Sequence, residues 1–459
     1  MTAVCVKQDE RIRIEKTIME ADRGDDLVII SPETPFKVNA LEYELFRKGR
    51  GGEVEYNQAL DLLMEIFVLG ENYQAGGASG GENDRFWDKE LRICLTRLMM
   101  LLVLAGVPVT VPNMRKILVD AFGETEVERY AALWAEIEKG DGAAIGEYES
   151  WCNGNFFLYC FERANAREDM TPSELDVMQL VGDYYFKTFY KISEKTKAII
   201  TASAMGLFEP FMTGILKTHF SSEMSDEVRP EKCYEEGRLI IVDIPLKEYG
   251  ISAVYAAGIM KKLFQLCMER RVVQNEENPR PCVLWIDEYH LLANPISDEK
   301  FQSSCRSTMT AGVYITQSIN SIKVAMGRNN AEAKTKVLLT NLGTQIFCGN
   351  ICNDTNKYAA DLIGKAFIKT KSASVNTDDK ASHSTSEHLH YIVPPEHFTT
   401  LKSGGPDNNF KVEAIMVVRG KKWATGETFR EIVFDQRGRG KPFFQRLKHF
   451  FQTVKSFFQ

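Results

Sequence analysis

Apolar and polar positions along this chain alternate between two periods. Short apolar runs at 3–6, 26–32, 238–245 and 282–286 read as strands. The last, Cys282 through Ile286, has five consecutive apolar side chains, the pattern of a central parallel strand buried on both faces. Helical spacing over 9–21 between the first two strands predicts a β-α-β unit, which ends near Glu44 where Gly49, Gly51 and Gly52 loosen the chain. From 56 to 219 the period is helical. Helices are predicted over 56–69, 91–104, 124–138 and 175–191, with a glycine-rich loop at 76–81 and a capped start at Thr171-Pro172-Ser173-Glu174. The aromatic residues crowded between Phe156 and Tyr190 fit helix packing better than a base-stacking platform.

The α/β pattern returns after about 233. A helix over 253–271 with basic residues in its last turn leads to the 282–286 strand, then to a β-rich run stopping at Thr316-Gln317. Gln345-Ile346-Phe347-Cys348 is expected as a further strand of that core, and 354–363 as a helix stopped by Gly364. Residues 371–390 read as a loop or extended hairpin arm, and 411–418 and 431–434 as strands at the edge of the sheet. The fold class is α/β. The division is 1–50 and 233–436 for the two parts of an α/β core, 51–232 for an all-α insert, and 437–459 for a tail.

Composition narrows the function classes. The 459 residues are 44% hydrophobic and 26% charged, ordinary globular values, and the net charge of −7 gives no global basic field. Any DNA contact is therefore local, for instance in the lumen of a ring. The ten cysteines are irregularly spaced and no secretory signal is present, which predicts reduced thiols and a cytoplasmic location. Neither Cys348/Cys352 nor Cys152/Cys160 is completed to a zinc set. The most apolar segment, 98–111, contains Gly106 and Pro108 and is too short to cross a bilayer as a helix.

Candidate chemistry gathers after 281. An apolar strand ending in Asp287-Glu288 is how nucleotide-hydrolysing α/β motors place magnesium, on the first carboxylate, and water activation, on the second. The alternative is a core strand whose end is solvated by two acids. Gln317, at the carboxyl end of a neighbouring strand, is placed to sense a γ-phosphate, or merely to cap. Arg306 is a candidate for neutralising phosphoryl-transfer charge on a neighbouring subunit's nucleotide, or an ordinary surface arginine.

Several motifs occur in an order that resembles the TraG/TraD-type coupling proteins of type IV secretion and conjugation. They are Asp287-Glu288, the Arg306-to-Gln317 segment, Asn341 to Phe347 and Leu401 to Pro406, preceded by Lys7 to Glu10, Phe36 to Glu44 and Ile240 to Gly250, with Tyr391 to Thr400 between the later ones. The resemblance implies a RecA-like, mostly parallel core with a Walker B strand and an all-α insert, in a homo-hexameric ring ATPase that uses ATP and Mg. It also implies DNA, relaxosome proteins and type IV secretion channel ATPases as partners. Such proteins carry a phosphate-binding loop, G-x-x-x-x-G-K-[ST], ahead of these motifs, and usually a membrane anchor before that. No such loop occurs here: Gly364-Lys365 is followed by Ala366, Gly420-Lys421 by Lys422 and Gly440-Lys441 by Pro442. The expectation is a chain that begins just after the loop, either an amino-terminally truncated copy or one whose missing half is encoded separately. Two further readings stay open, a non-hydrolytic adaptor for relaxosome or channel components and another hexameric DNA-pumping or secretion ATPase.

The tail is of a different kind. After the basic linker Arg437-Gly438-Arg439-Gly440-Lys441, the pairs Phe443/Phe444, Phe450/Phe451 and Phe457/Phe458 fall with Leu447 and Val454 on one side of a helical repeat, with Arg446, Lys448 and Lys455 elsewhere. That pattern suits an anionic membrane surface, at the inner face of the membrane, or a partner groove. Docking onto its own domain fits it equally.

Overall fold

The computed structural model describes residues 1–5, 7, 9–49, 54–75, 84–294, 297–327, 330–375 and 381–437. The glycine-rich loop at 76–81 and the tail from 438 onward lie outside the described residues. The chain forms two compact units. One comprises Met1–Ile18, Arg23–Asp287 and Ser307–Val313, and the other Met19–Asp22, Glu288–Arg306 and Tyr314–Gln459.

The first unit is built on a five-stranded sheet. Its strands are β1 (Thr2–Cys5), β2 (Leu27–Ile30), β3 (Leu239–Asp243), β4 (Cys282–Ile286) and β5 (Thr310–Tyr314), in the order β2-β3-β1-β4-β5. β1 pairs parallel with β3 and β4, and β2 with β3; Ala3 lies opposite both Ile241 and Trp285. β1 and β2 flank the helix Glu10–Glu20 as the sequence predicts, but β3, from far later in the chain, is inserted between them. Burial along β4 alternates: Cys282, Leu284 and Ile286 are buried, whereas Val283 and Trp285 are half-buried, so only one face of this strand is fully enclosed. On one side Ile14 and Ile18 of the helix Glu10–Glu20 pack over Ala3, Cys5, Ile241 and Trp285. The helix Ile251–Arg270, buried along most of its length, also packs on β1 and β3.

Helices fill the chain between β2 and β3, from Tyr56–Ala75 through Glu194–Phe208. Their starts follow local chemistry. Thr110, Asp141, Asn155 and Ser193 each cap a helix with a side-chain oxygen, and Thr171 and Glu174 close a capping box. The helix expected over 175–191 stops at Asp183 and continues as a π turn, Tyr184–Thr188, and a 3-10 turn, Phe189–Lys191. The wider turn lets the sequence neighbours Tyr185 and Phe186 both approach the Phe157 ring, with centroids at 4.6 and 6.0 Å. These aromatics are helix-packing core: Phe122 stacks on Trp151 at 5.0 Å and meets Phe157 edge-on at 4.9 Å.

Two glycines bring the helices Tyr56–Ala75 and Ile251–Arg270 together. A Cβ at Gly70 would fall on the Tyr255 ring, and one at Gly258 would come within 2.8 Å of Leu69 Cδ1. The same crossing carries the Lys262–Glu65 pair at 2.7 Å. Nearby, Arg270 grips the buried Glu44 carboxylate with two bonds of 2.8 and 2.7 Å.

The second unit corrects one expectation. The segments expected to extend or edge the parallel core form separate sheets: β6 (Thr344–Cys348), β9 (Lys411–Val418) and β10 (Phe429–Asp435) make an antiparallel sheet, ordered β10-β9-β6. Among the described residues β7 (Lys365–Val375) and β8 (Ala381–Tyr391) pair only with each other, antiparallel. The physical reason is long-range pairing. β9 meets both β6 and β10 antiparallel, and the face so formed packs Ile415 and Val417 on its own core of Ala359, Ala360, Ile363 and Phe398 rather than on the first unit's sheet.

The glycine contact yields a stability expectation. Gly70→Ala should destabilise the chain by about 1–3 kcal/mol in urea unfolding, because the Tyr255 ring cannot rotate away as a flexible chain end would. Gly258→Ala should cost less, since the Leu69 methyl can shift.

Candidate functional site

In a parallel sheet the carboxyl ends of neighbouring strands lie on one edge. Val4 lies opposite both Val242 and Ile286, so the residues after them, Cys5, Asp243 and Asp287, leave the first unit's sheet at that edge. Each acid there meets a cation from the segment that follows β1. Lys7 Nζ donates to Asp287 Oδ2 at 3.0 Å, and Arg11 Nη1 donates to Asp243 Oδ2 at 3.0 Å. Asp243 Oδ1 is buried with no hydrogen-bond partner among the described residues. Burial raises the Asp243 carboxyl above its ordinary value, against the opposing pull of Arg11. The Cys5 thiol, 1% exposed, is pushed far upward, first by burial and then by Glu10, Asp243 and Asp287. It is an inert core thiol rather than a nucleophile.

The boundary between the two units falls on the peptide bond joining Asp287 to Glu288. In the second unit Glu288 adopts the left-handed region, with φ of 47° and ψ of 44°, an uncommon state for a residue with a side chain. The next residue is tightly held. Tyr289 donates its N–H to Ile315 O at 2.8 Å and its hydroxyl to the buried Asp298 carboxylate at 2.6 Å, and its ring stacks on Tyr314 at 4.2 Å. This anchoring turns the buried Glu288 carboxylate toward Gln317, whose Nε2 donates to both its oxygens, at 3.2 and 3.4 Å. His290 Nδ1 lies 3.5 Å from Glu288 Oε2.

Gln317 lies three residues beyond β5 rather than within a strand, and is exposed. Asn350 fixes its backbone, donating from Nδ2 to Gln317 O at 2.8 Å while its Oδ1 accepts the Cys352 N–H at 2.6 Å. The structure thus brings Glu288 and Gln317 together. Arg306 stands apart from them: it is exposed on the 3-10 turn Cys305–Thr308 leading into the start of β5, whereas Gln317 leaves its end. Among residues without an assigned role, Asp243 repeats the pattern that singled out Asp287, an apolar strand ending in an acid. Asn350 has no comparable signal in the sequence.

Carboxylate oxygens suit a hard divalent cation, and an orphaned buried oxygen at Asp243 leaves coordinating capacity at this edge. Among the described residues no three His, Cys, Asp or Glu side chains converge as a metal cage. A magnesium ion would then take one or two carboxylates and complete its shell with water and phosphate. The sequence contains no G-x-x-x-x-G-K-[ST], the loop type that cradles a triphosphate. No described helix is long and apolar enough to cross a membrane.

Residues 281–403, which contain Asp287, Glu288, Arg306 and Gln317, match the family model of the TraM recognition site of TraD and TraG. Solved structures similar to the chain include the unbound monoclinic form of the bacterial conjugative coupling protein TrwBΔN70. It is 10% identical, with a TM-score of 0.57 over 96% of this chain and 86% of that one. The plasmid coupling protein TrwB with the non-hydrolysable GTP analogue GDPNP is 10% identical, with a TM-score of 0.55 over 94% and 84%. TrwB with ADP and Mg2+ is 10% identical, with a TM-score of 0.52 over 94% and 83%. No curated protein matches the chain in sequence. The chain has the α/β fold of these coupling proteins and resembles the TraG/TraD type.

Two expectations arise from this geometry. Asparagine tolerates left-handed backbone, whereas a β-branched residue does not, so Glu288→Val should cost about 1–3 kcal/mol more than Glu288→Asn in urea unfolding. For Asp243, a folded-state pKa above the unfolded one favours folding at low pH, and that contribution is lost as pH rises through the raised value. Asp243→Asn should therefore flatten the decline of thermal stability between the ordinary carboxylate range and neutrality.

Proposed function

We propose that this chain is a conjugative coupling protein-like motor domain that links a DNA–protein substrate to a type IV secretion channel, hydrolysing ATP only when a phosphate-binding loop is supplied. The observation that carries this reading is the TraD/TraG family match over the very segment that holds the Asp-Glu strand end and Gln317, within a chain that has the TrwB fold throughout. In this reading, 1–50 and 233–436 form the motor core, 51–232 is an all-α insert toward the substrate, and the working form is a hexameric ring near the membrane. DNA, relaxosome proteins and channel ATPases would be its partners.

Asp287 would hold magnesium, which when bound supplies charge neutralisation at phosphate oxygens. The Glu288 carboxylate, buried and fixed by Gln317 Nε2, would orient a water and accept its proton. Gln317, whose backbone Asn350 holds in place, would respond to the γ-phosphate through the same amide that restrains Glu288. Arg306, exposed and away from that pair, would act toward a neighbouring subunit's nucleotide. The second reading, a non-hydrolytic adaptor, is favoured by one observation, the absence of a G-x-x-x-x-G-K-[ST] motif.

Isothermal titration should find weak or no Mg-ATP binding by this chain alone, and binding restored when a family-type loop and helix are fused ahead of it. In that fusion, Glu288→Gln should bind nucleotide and turn over at least tenfold more slowly, whereas Asp287→Asn should also lose the magnesium dependence of binding. A fusion that binds no nucleotide would favour the adaptor, and equal mild effects of both substitutions would favour two solvating acids at a strand end.

A further inference from the structure

The antiparallel pair β7 and β8 divides its described side chains between two faces of different chemistry. Residues directly opposite each other in such a pair share a face. Phe367 opposite Leu389, Lys369 opposite Glu387 and Lys365 opposite Tyr391 make one face. Its charges are matched: Lys369 meets Glu387 at 3.2 Å, and Lys365 Nζ lies 4.4 Å from the centre of the Tyr391 ring. Ala366 opposite His390 and Ile368 opposite His388 make the other face, with Ser386 next along β8. The described side chains that the pair contributes to this second face include no lysine, arginine or carboxylate.

His388 and His390 are both exposed. Two residues apart on one strand, they leave it on the same side, with ring centroids 6.3 Å apart. Ser386 Oγ lies 3.0 Å from His388 Nε2. In the tautomer whose Nε2–H donates to that hydroxyl, Nδ1 keeps its lone pair, and a polar neighbour orients metal-bound imidazoles in this way. The side chain opposite His390 is only the methyl of Ala366, which leaves that ring room to turn. On a zinc ion with bonds of about 2 Å, two ligand nitrogens stand roughly 3.3 Å apart, and a small closing rotation of two exposed rings reaches that spacing.

We propose that His388 and His390 form a two-imidazole clip for a borderline divalent ion of the zinc, nickel and copper class, with Ser386 orienting His388. Neutral imidazole suits these ions, whereas magnesium and calcium prefer oxygen. Among the described residues no third His, Cys, Asp or Glu joins the two rings. The clip is therefore an open site, whose remaining positions go to water or to a ligand from another molecule. It is separate from the magnesium chemistry proposed at Asp287 and does not depend on the coupling reading.

Coordination takes the lone pair of one ring nitrogen while the other carries the proton, so a bound imidazole resists acylation. The test is diethyl pyrocarbonate labelling of the full chain, read residue by residue by peptide mass spectrometry, with zinc chloride alone as the probe. Accessible thiols, of which Cys348 is one, are alkylated beforehand so that they do not compete. His397, half-buried and beyond the end of β8, is the internal reference. A few equivalents of zinc should slow labelling of His388 and His390 at least tenfold, leave His397 unchanged, and lose this effect on addition of EDTA. In His388→Ala zinc should no longer protect His390, and in His390→Ala it should no longer protect His388. Both substitutions fall at exposed positions, where the fold does not depend on the ring. Protection of either histidine when the other is alanine overturns the clip, because a lone imidazole then suffices. Equal protection of His397, or none at His388 and His390, overturns it as well.

Discussion

Bringing carboxylates to one edge of a buried parallel sheet creates an electrostatic load that the rest of the first unit is arranged to meet. The register of β1 against β3 and β4 leaves no choice about where Asp243 and Asp287 emerge. A parallel sheet also needs cover on its faces, which the helices Glu10–Glu20 and Ile251–Arg270 supply. The first of these begins immediately after the turn that delivers Lys7, and it carries Arg11 in its opening turn. One segment therefore both covers the sheet and counters its acids. Asp243 shows how close the balance is, since burial outweighs an arginine bonded at 3.0 Å.

The peptide bond that joins Asp287 to Glu288 concentrates a different kind of constraint. Glu288 holds a backbone state costing on the order of 1–3 kcal/mol, and it does so beside one of the best-anchored residues in the second unit. Tyr289 is fully buried, stacked on Tyr314 and bonded to Asp298. Backbone strain persists only where its surroundings leave no alternative, and the tyrosine supplies that condition. The side chain so displayed is a buried carboxylate whose two oxygens share one amide donor, Gln317 Nε2.

Much of this was legible in the sequence because the signals were local. Apolar runs marked the strands, Ser, Thr, Asp and Asn marked helix starts, and Asp287-Glu288 at a strand end pointed to the edge where it is found. The hidden part depends on chain segments meeting at long range. Nothing near Thr344 says that its strand pairs antiparallel with β9 rather than continuing the parallel sheet; the distinction rests on partners about seventy residues away. The π turn at Tyr184 arises from two adjacent rings seeking the same cluster, which a regular helical period cannot express. Asn350 matters through a single bond to a backbone carbonyl, and an asparagine in a loop looks the same with or without it.

The Lys7–Asp287 pair alters what cation binding means at this edge. Its lysine is half exposed, so the attraction is screened and worth no more than about 1 kcal/mol. Even so, an ammonium already sits on the carboxylate oxygen that a cation would approach. A cation arriving at that oxygen therefore enters by exchange rather than addition, and releases a tethered positive charge as it does so. The freed ammonium stays within a side chain's reach of the acid, so the charge that leaves the carboxylate remains in its neighbourhood, available to whatever anion accompanies the incoming ion.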